Sequence, residues 1–136
     1  MTPELTALAL AGLLQVLQLV IMTIPANLQL GLRKTLGSRD MSTSGSLLFA
    51  ELQPRTARLF RAFNNHFEGL IFFTIAVVVT TLSGKSSEAT QMAAYIYLAA
   101  RIAYVPAYFF GLNPWRSVIW FAGFGATVFI LVISIL

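Results

Sequence analysis

Four long apolar stretches dominate the hydropathy pattern of this chain. They extend over about residues 5–32, 56–82, 88–112 and 114–136. Each approaches or exceeds the roughly 20 residues that an α-helix needs to cross about 30 Å of hydrocarbon. The pattern therefore predicts an all-α integral membrane protein, in which a single domain of residues 1–136 forms a four-helix bundle.

The first apolar stretch has the length of a retained membrane helix. It carries no charged residue over its 28 positions, whereas the apolar region of a secretory signal peptide has about 7 to 15 residues. It also lacks the basic start of a signal peptide. Pro25 should kink this helix, because proline removes a backbone hydrogen bond.

Proline and glycine mark the ends of the other predicted helices. Pro54 suits the first turn of the second helix, and Gly84 suits its C-terminal cap. A tight turn that includes Gly111 should follow the third helix. Asn113 and Pro114 are then predicted as the cap and the first residue of the fourth helix. The last two helices should form an antiparallel hairpin.

The composition supports a membrane location and excludes several kinds of site. The chain is 57% hydrophobic and 10% charged, against about 25% charged residues in a typical soluble domain. It has no cysteine and only one histidine, His66, so a thiolate or multi-histidine metal site is excluded and we predict no metal. The lack of HExxH and glycine-rich phosphate motifs argues against zinc hydrolases and nucleotide-binding enzymes.

The net charge of +4 is explained by the positions of the basic residues. Six of the nine lie in or beside the segment between the first two helices: Arg33, Lys34, Arg39, Arg55, Arg58 and Arg61. Such clustering predicts that this segment is cytoplasmic. Both termini should then face away from the cytoplasm, and we expect no nucleic-acid partner.

Polar residues recur at helical spacing within the second and third helices. On one face of the second helix lie Arg58, Arg61, Asn65 and Glu68, and on one face of the third lie Arg101, Tyr104 and Tyr108. A rise of about 1.5 Å per residue puts Glu68 and Arg101 roughly 6 and 10 Å below the cytoplasmic boundary. Together with Arg116 these residues predict a polar funnel that opens to the cytoplasm.

Two interpretations of the funnel are open from the residues alone. In the first, Glu68 and Arg101 form a structural ion pair, and Asn65 and the tyrosines satisfy the remaining donors. In the second, the surplus of arginines over the only nearby carboxylate indicates an anionic ligand. Guanidinium groups would bind its carboxylates, Glu68 an ammonium group, and tyrosine hydroxyls a thiol or carbonyl. A small peptide with two carboxylates and one amine fits.

A cluster of six aromatic residues is interpreted as packing and interfacial residues, with a groove for an apolar substrate as the alternative. They are Tyr95, Tyr97, Phe109, Phe110, Trp115 and Trp120. His66 is interpreted as structural or interfacial, with contact to a ligand as the alternative.

Three features in the second, third and fourth helices, and a further stretch before the second helix, resemble those of the family of membrane-associated proteins in eicosanoid and glutathione metabolism (MAPEG). Residues 61–68, RAFNNHFE, resemble the signature RAxxNxxE of its second helix, with Arg58 preceding it. Residues 101–108, RIAYVPAY, resemble the pattern RxxYxxxY in the third helix of members. Arg116 begins the fourth helix as in the family, and residues 36–40, LGSRD, resemble the LGxRD stretch of prokaryotic members.

The resemblance implies a MAPEG-like homotrimer that binds glutathione between neighbouring subunits. The matching ligand-binding positions are Arg61, Asn65, Glu68, Arg101, Tyr104 and Tyr108, with Arg58 as a further candidate. Arg116 matches the arginine that stabilises the thiolate, and a guanidinium beside a thiol favours the reactive anion.

The implied function is a glutathione-dependent membrane transferase or peroxidase, which conjugates the glutathione thiolate to lipophilic electrophiles from the bilayer. The LGxRD resemblance implies a bacterial inner membrane. The alternative is a non-catalytic trimer that uses the polar layer for assembly, or to bind another anionic metabolite or a lipid. A small channel is a third option, disfavoured because few polar residues occur in the outer half of the helices.

Overall fold

A computed structural model describes residues 1–31 and 52–136, and these form four α-helices without a strand. The helices are α1 (Pro3–Leu30), α2 (Pro54–Leu82), α3 (Glu88–Phe109) and α4 (Trp115–Ile135). The predicted all-α class and the four helices are confirmed. The largest difference in a boundary is at the end of α3, which stops three residues before the predicted position 112.

Local sequence explains where α2 and α3 end. Gly84 and Gly111 both have a φ of 68°, a left-handed conformation that glycine adopts without steric cost. Lys85 N donates to Thr80 O over 3.1 Å, and the equivalent bond after α3 joins Leu112 N to Ala107 O over 2.9 Å. Both ends are therefore Schellman motifs, in which glycine lets the chain leave the helix.

The start of α4 differs from the prediction by one residue. The N-cap is Pro114, not Asn113, and Trp115 is the first helical residue. The backbone supplies the first acceptors instead of an asparagine side chain: Arg116 N donates to Leu112 O over 3.0 Å, and Ser117 N to Pro114 O over 2.9 Å.

The four helices alternate in direction, and side-chain hydrogen bonds tie them at both ends. At the basic end, where α1 and α3 stop and α2 and α4 begin, Gln29 Nε2 donates to Thr56 Oγ1 over 2.8 Å. At the opposite end the hydroxyls of Thr80 and Ser134 are hydrogen-bonded. The chain is therefore an up-down bundle.

The core is built mainly from alanines and a few large side chains. Ala7, Ala11, Ala76, Ala94 and Ala126 belong to the buried cluster, and such small residues let helices approach closely in membranes. At its centre the rings of Phe73 and Tyr97 stack with centroids 3.8 Å apart.

The outer surface of the bundle is apolar. Large exposed side chains occur on every helix, including Leu13, Phe72, Ile96 and Phe121, which is typical of a surface that contacts lipid or another subunit. Among the described residues, α1, α2 and α4 are long and apolar enough to cross a membrane. α3 has 22 residues, and Arg101 and the four tyrosines of the chain, all of which lie on it, lower its hydropathy.

Several predictions fall on residues 32–51, outside the described part of the chain. They concern Arg33, Lys34, Arg39 and the LGSRD stretch at 36–40. The predicted topology, which rests on these basic residues, stays a prediction.

Candidate functional site

A buried arginine lies at the centre of the candidate site. Arg101 on α3 is only 3% exposed, and its Nη1 donates to Asn65 Oδ1 on α2 over 3.0 Å. The guanidinium carbon lies 5.1 Å from the centroid of the Tyr97 ring. The charge is thus held between an amide oxygen and an aromatic face, both of which favour a cation.

One glycine makes room for this guanidinium, and a second lies close to it. A Cβ added at Gly69 on α2 would overlap Nη2 of Arg101, and one added at Gly123 on α4 would lie 3.8 Å from its Nε. The sequence analysis did not identify either glycine as part of the site. The available signal was a glycine in a helix interior, which indicates close packing.

The ion pair between Glu68 and Arg101, which the first interpretation of the funnel requires, is not formed within the described chain. Arg101 bonds to Asn65 instead, and Glu68 is exposed. The reason is the direction of the side chains on α2, because successive residues of an α-helix are rotated by about 100° about the helix axis. Gly69 faces Arg101, and its neighbour Glu68 therefore points away along the flank of α2.

Beside Arg101 lies a cavity of about 290 Å³, between α2, α3 and α4. Its lining residues are Asn65, Tyr104, Tyr108, Arg116, Ser117, Trp120 and Phe121. The ring centroids of Tyr104 and Tyr108 are 5.4 Å apart, and the guanidinium carbon of Arg116 lies 5.0 Å from the Tyr108 ring. The cavity therefore combines a cation and hydroxyl groups with an aromatic wall.

The sequence analysis missed part of that wall. Ser117 and Phe121 were not singled out, and Trp120 was interpreted as packing. Trp120 follows Arg116 on α4 by four residues, and Trp120 and Phe121 follow Ser117 by three and four residues, so these side chains lie on the same side of the helix. That periodicity was the signal that could have identified them.

Five of the eight predicted site residues come together within one chain: Asn65, Arg101, Tyr104, Tyr108 and Arg116. The other three lie elsewhere. Arg61 and Glu68 are exposed on the flank of α2, two turns apart. Arg58 Nη1 donates to Phe109 O over 3.4 Å, at the C-terminal end of α3, where a cation is favourable for the helix dipole. The assignment of ligand-binding roles stays a prediction.

One comparison with known proteins gives a match. A sequence model described as the MAPEG family matches residues 7–136, nearly the whole chain. Neither a curated protein nor a solved structure gives a significant match. The matched range includes all the residues that surround the cavity.

Proposed function

The chain belongs to the MAPEG family, and from this premise we propose that it is a glutathione-dependent membrane transferase or peroxidase. The observation that supports this activity is the cavity in which Arg116 meets the Tyr104 and Tyr108 rings and Asn65. A cation beside polar groups and an aromatic wall suits a reaction between an ionised thiol and an apolar molecule.

The proposed ligand is complementary to the charges around the cavity. Reduced glutathione carries two carboxylates, one ammonium group and a thiol. Arg61 can bind a carboxylate with two parallel hydrogen bonds, and Glu68 can accept from the ammonium group. Arg116 is the candidate partner of the sulfur, because a nearby positive charge lowers the pKa of a thiol.

The proposed transferase step forms a carbon–sulfur bond. The thiol releases its proton to solvent, and the thiolate attacks an electrophilic carbon, whose leaving group departs with the bonding electron pair. In the peroxidase version, two thiols reduce one hydroperoxide to an alcohol and water and form one disulfide. Trp120 and Phe121 supply the apolar side on which a lipophilic substrate would lie.

A second copy of the chain would complete the proposed site. Glu68 lies at the middle of α2, about 21 Å from both ends of the helix and roughly 6 Å inside the predicted membrane boundary, yet it is exposed. An ionisable group at that depth needs a partner. The cavity of about 290 Å³ is at the lower end of the roughly 300–1,000 Å³ of typical ligand sites, and neither Arg61 nor Glu68 lines it. We therefore propose a homotrimer with the ligand bound between neighbouring subunits.

Ligand binding can be tested by the melting temperature of detergent-purified protein with and without millimolar reduced glutathione. At 100 times its dissociation constant, a ligand stabilises the folded state by about 2.7 kcal/mol. We expect the shift in the parent protein to disappear in Arg61→Gln and Glu68→Gln. Both side chains are exposed, so these substitutions remove few contacts within the subunit.

The matched control for these variants is Glu88→Gln, because Glu88 is an exposed carboxylate at the opposite end of the bundle. It should retain the full shift. A parent protein without a shift, or variants that keep it, would contradict glutathione binding at this site.

The same protein preparations separate the enzyme from the non-catalytic alternative. That alternative is favoured by the bond between Arg101 and Asn65, which shows that part of the polar layer is already used within the subunit. If the protein is an enzyme, Arg116→Gln should still bind glutathione, but the absorbance of the bound thiolate should disappear. The rate of conjugation with a reactive aryl halide should fall by about 10²–10³-fold. Binding by the parent without conjugation or hydroperoxide reduction would support the non-catalytic protein.

A further inference from the structure

A second cavity lies at the basic end of the bundle, between α1, α2 and α3, with a volume of about 470 Å³. Its walls are formed by apolar side chains: Ile21, Pro25, Leu59, Val105, Pro106, Phe109 and Phe110. Both interior helix prolines lie here, and their rings add apolar surface without an N–H group. We call this cavity the basic-end groove.

The groove is separate from the candidate active site. On α3 the site uses Tyr104 and Tyr108, whereas the groove uses Val105, Pro106 and Phe109. At about 100° per residue these two sets lie on different faces of the helix. The groove also involves α1, which does not line the site cavity. It is therefore not the wall on which the lipophilic substrate was placed above.

The polar residues of the groove are concentrated at its mouth. Gln29 donates to Thr56 Oγ1 over 2.8 Å and accepts from Gln53 N over 3.1 Å, so both ends of its amide are used. Arg55 is exposed, and its guanidinium carbon lies 5.9 Å from the Phe109 ring centroid. Among the described lining residues, Arg55 is the only charged side chain.

We infer that the basic-end groove binds one acyl chain of an anionic phospholipid, whose phosphate pairs with Arg55. From Gln29 to Ile21 the groove follows α1 for about 12 Å, which accommodates part of a chain. Arg55 is the second residue of α2, so its charge lies at the end of the helix, where lipid head groups are found. An arginine fork matches phosphate oxygens.

The charge at the mouth determines the expected lipid preference. A single basic side chain near the membrane surface contributes about 1 kcal/mol of attraction to anionic lipid, which is roughly a fivefold difference in affinity. The apolar walls contact any chain, so a zwitterionic lipid with the same chains should still bind, but more weakly.

The test measures binding of dioleoyl phosphatidylglycerol and dioleoyl phosphatidylcholine to delipidated protein in detergent at low salt, by native mass spectrometry. The parent protein should prefer the anionic lipid by about fivefold. Arg55→Gln should abolish the preference, whereas Lys85→Gln, which removes an exposed charge at the opposite end, should keep it. Val105→Phe, which fills the groove, should weaken binding of both lipids.

Three outcomes of the measurements with the two phospholipids would overturn the inference. They are equal binding of the two lipids to the parent protein, a preference that survives Arg55→Gln, and binding of both lipids that is unchanged in Val105→Phe. Free oleate that competes as strongly as the anionic phospholipid would also overturn it, in favour of a free carboxylic acid. None of these results depends on glutathione, because the groove shares no residue with the proposed active site.

Discussion

At the scale of single residues, Arg101 shows how a charge is accommodated inside the bundle. A buried guanidinium needs acceptors and space, and it obtains both from α2. Asn65 supplies the oxygen at 3.0 Å, and Gly69 leaves the volume that the guanidinium occupies. Helical spacing predicted that Asn65 and Arg101 would face each other. It did not predict that an amide would replace Glu68 as the partner.

This packing predicts that Gly69→Ala destabilises the subunit. The added Cβ would overlap Arg101, and forcing extra atoms into a packed interior costs about 1–3 kcal/mol. The free energy of unfolding in detergent should fall by that amount. Gly125→Ala is the matched control, because a Cβ there meets nothing within 4 Å. If both variants are equally stable, Arg101 does not pack against Gly69.

At the scale of helices, the link between α1 and α3 depends on one buried carboxylate. Glu4 is 0% exposed, and its Oε1 accepts from Ser86 Oγ over 2.8 Å and from Thr90 Oγ1 over 2.7 Å. Both donors lie at the start of α3, where the helix dipole favours negative charge. Glu4 therefore fixes the start of α1 against the start of α3.

Glu4→Ala should consequently destabilise the bundle more than a substitution of an exposed acid. Hydrogen bonds to a charged group contribute about 1.5–3 kcal/mol, and the substitution removes two of them. We expect a loss of at least about 1.5 kcal/mol in the free energy of unfolding. Glu88→Ala removes an exposed acid from the first turn of α3, and it should have a much smaller effect. Equal effects would mean that the hydroxyls find other partners.

At the scale of the whole molecule, two surfaces are exposed in the part of the chain that the structure describes, namely the polar flank of α2 and the apolar outer surface. In a cyclic trimer every subunit presents the same two surfaces to its neighbours. The proposed site would then combine the α2 flank of one subunit with the α3 and α4 residues of the next.

Shared sites predict complementation between two inactive variants. In co-expressed Glu68→Gln and Arg116→Gln chains, random association would give about a quarter of the sites both native residues, one from each chain. Conjugation activity should then rise above that of either variant alone. The control mixes Glu68→Gln with Arg61→Gln, whose altered residues lie on the same α2 flank, so no site regains both. If co-expressed Glu68→Gln and Arg116→Gln chains recover no activity, Glu68 and Arg116 of the same chain contribute to one site.

The sequence by itself determined the four helices, their ends to within three residues, and the membrane class. These depend on local properties, namely apolar length, the missing N–H of proline and the left-handed conformation of glycine at Gly84 and Gly111. It also identified the residue types of the candidate site, because charged groups at helical spacing are rare in apolar segments.

Only the tertiary structure decided which of those residues meet. The position of a side chain between helices depends on the rotation of its helix and on the volume that residues of the other helices leave free. The sequence pattern of one helix specifies neither the rotation nor that volume. For this reason Asn65 rather than Glu68 binds Arg101, and Arg58 lies at the end of α3. The basic-end groove likewise exists only because three helices bring their prolines, aromatic rings and Arg55 to one place.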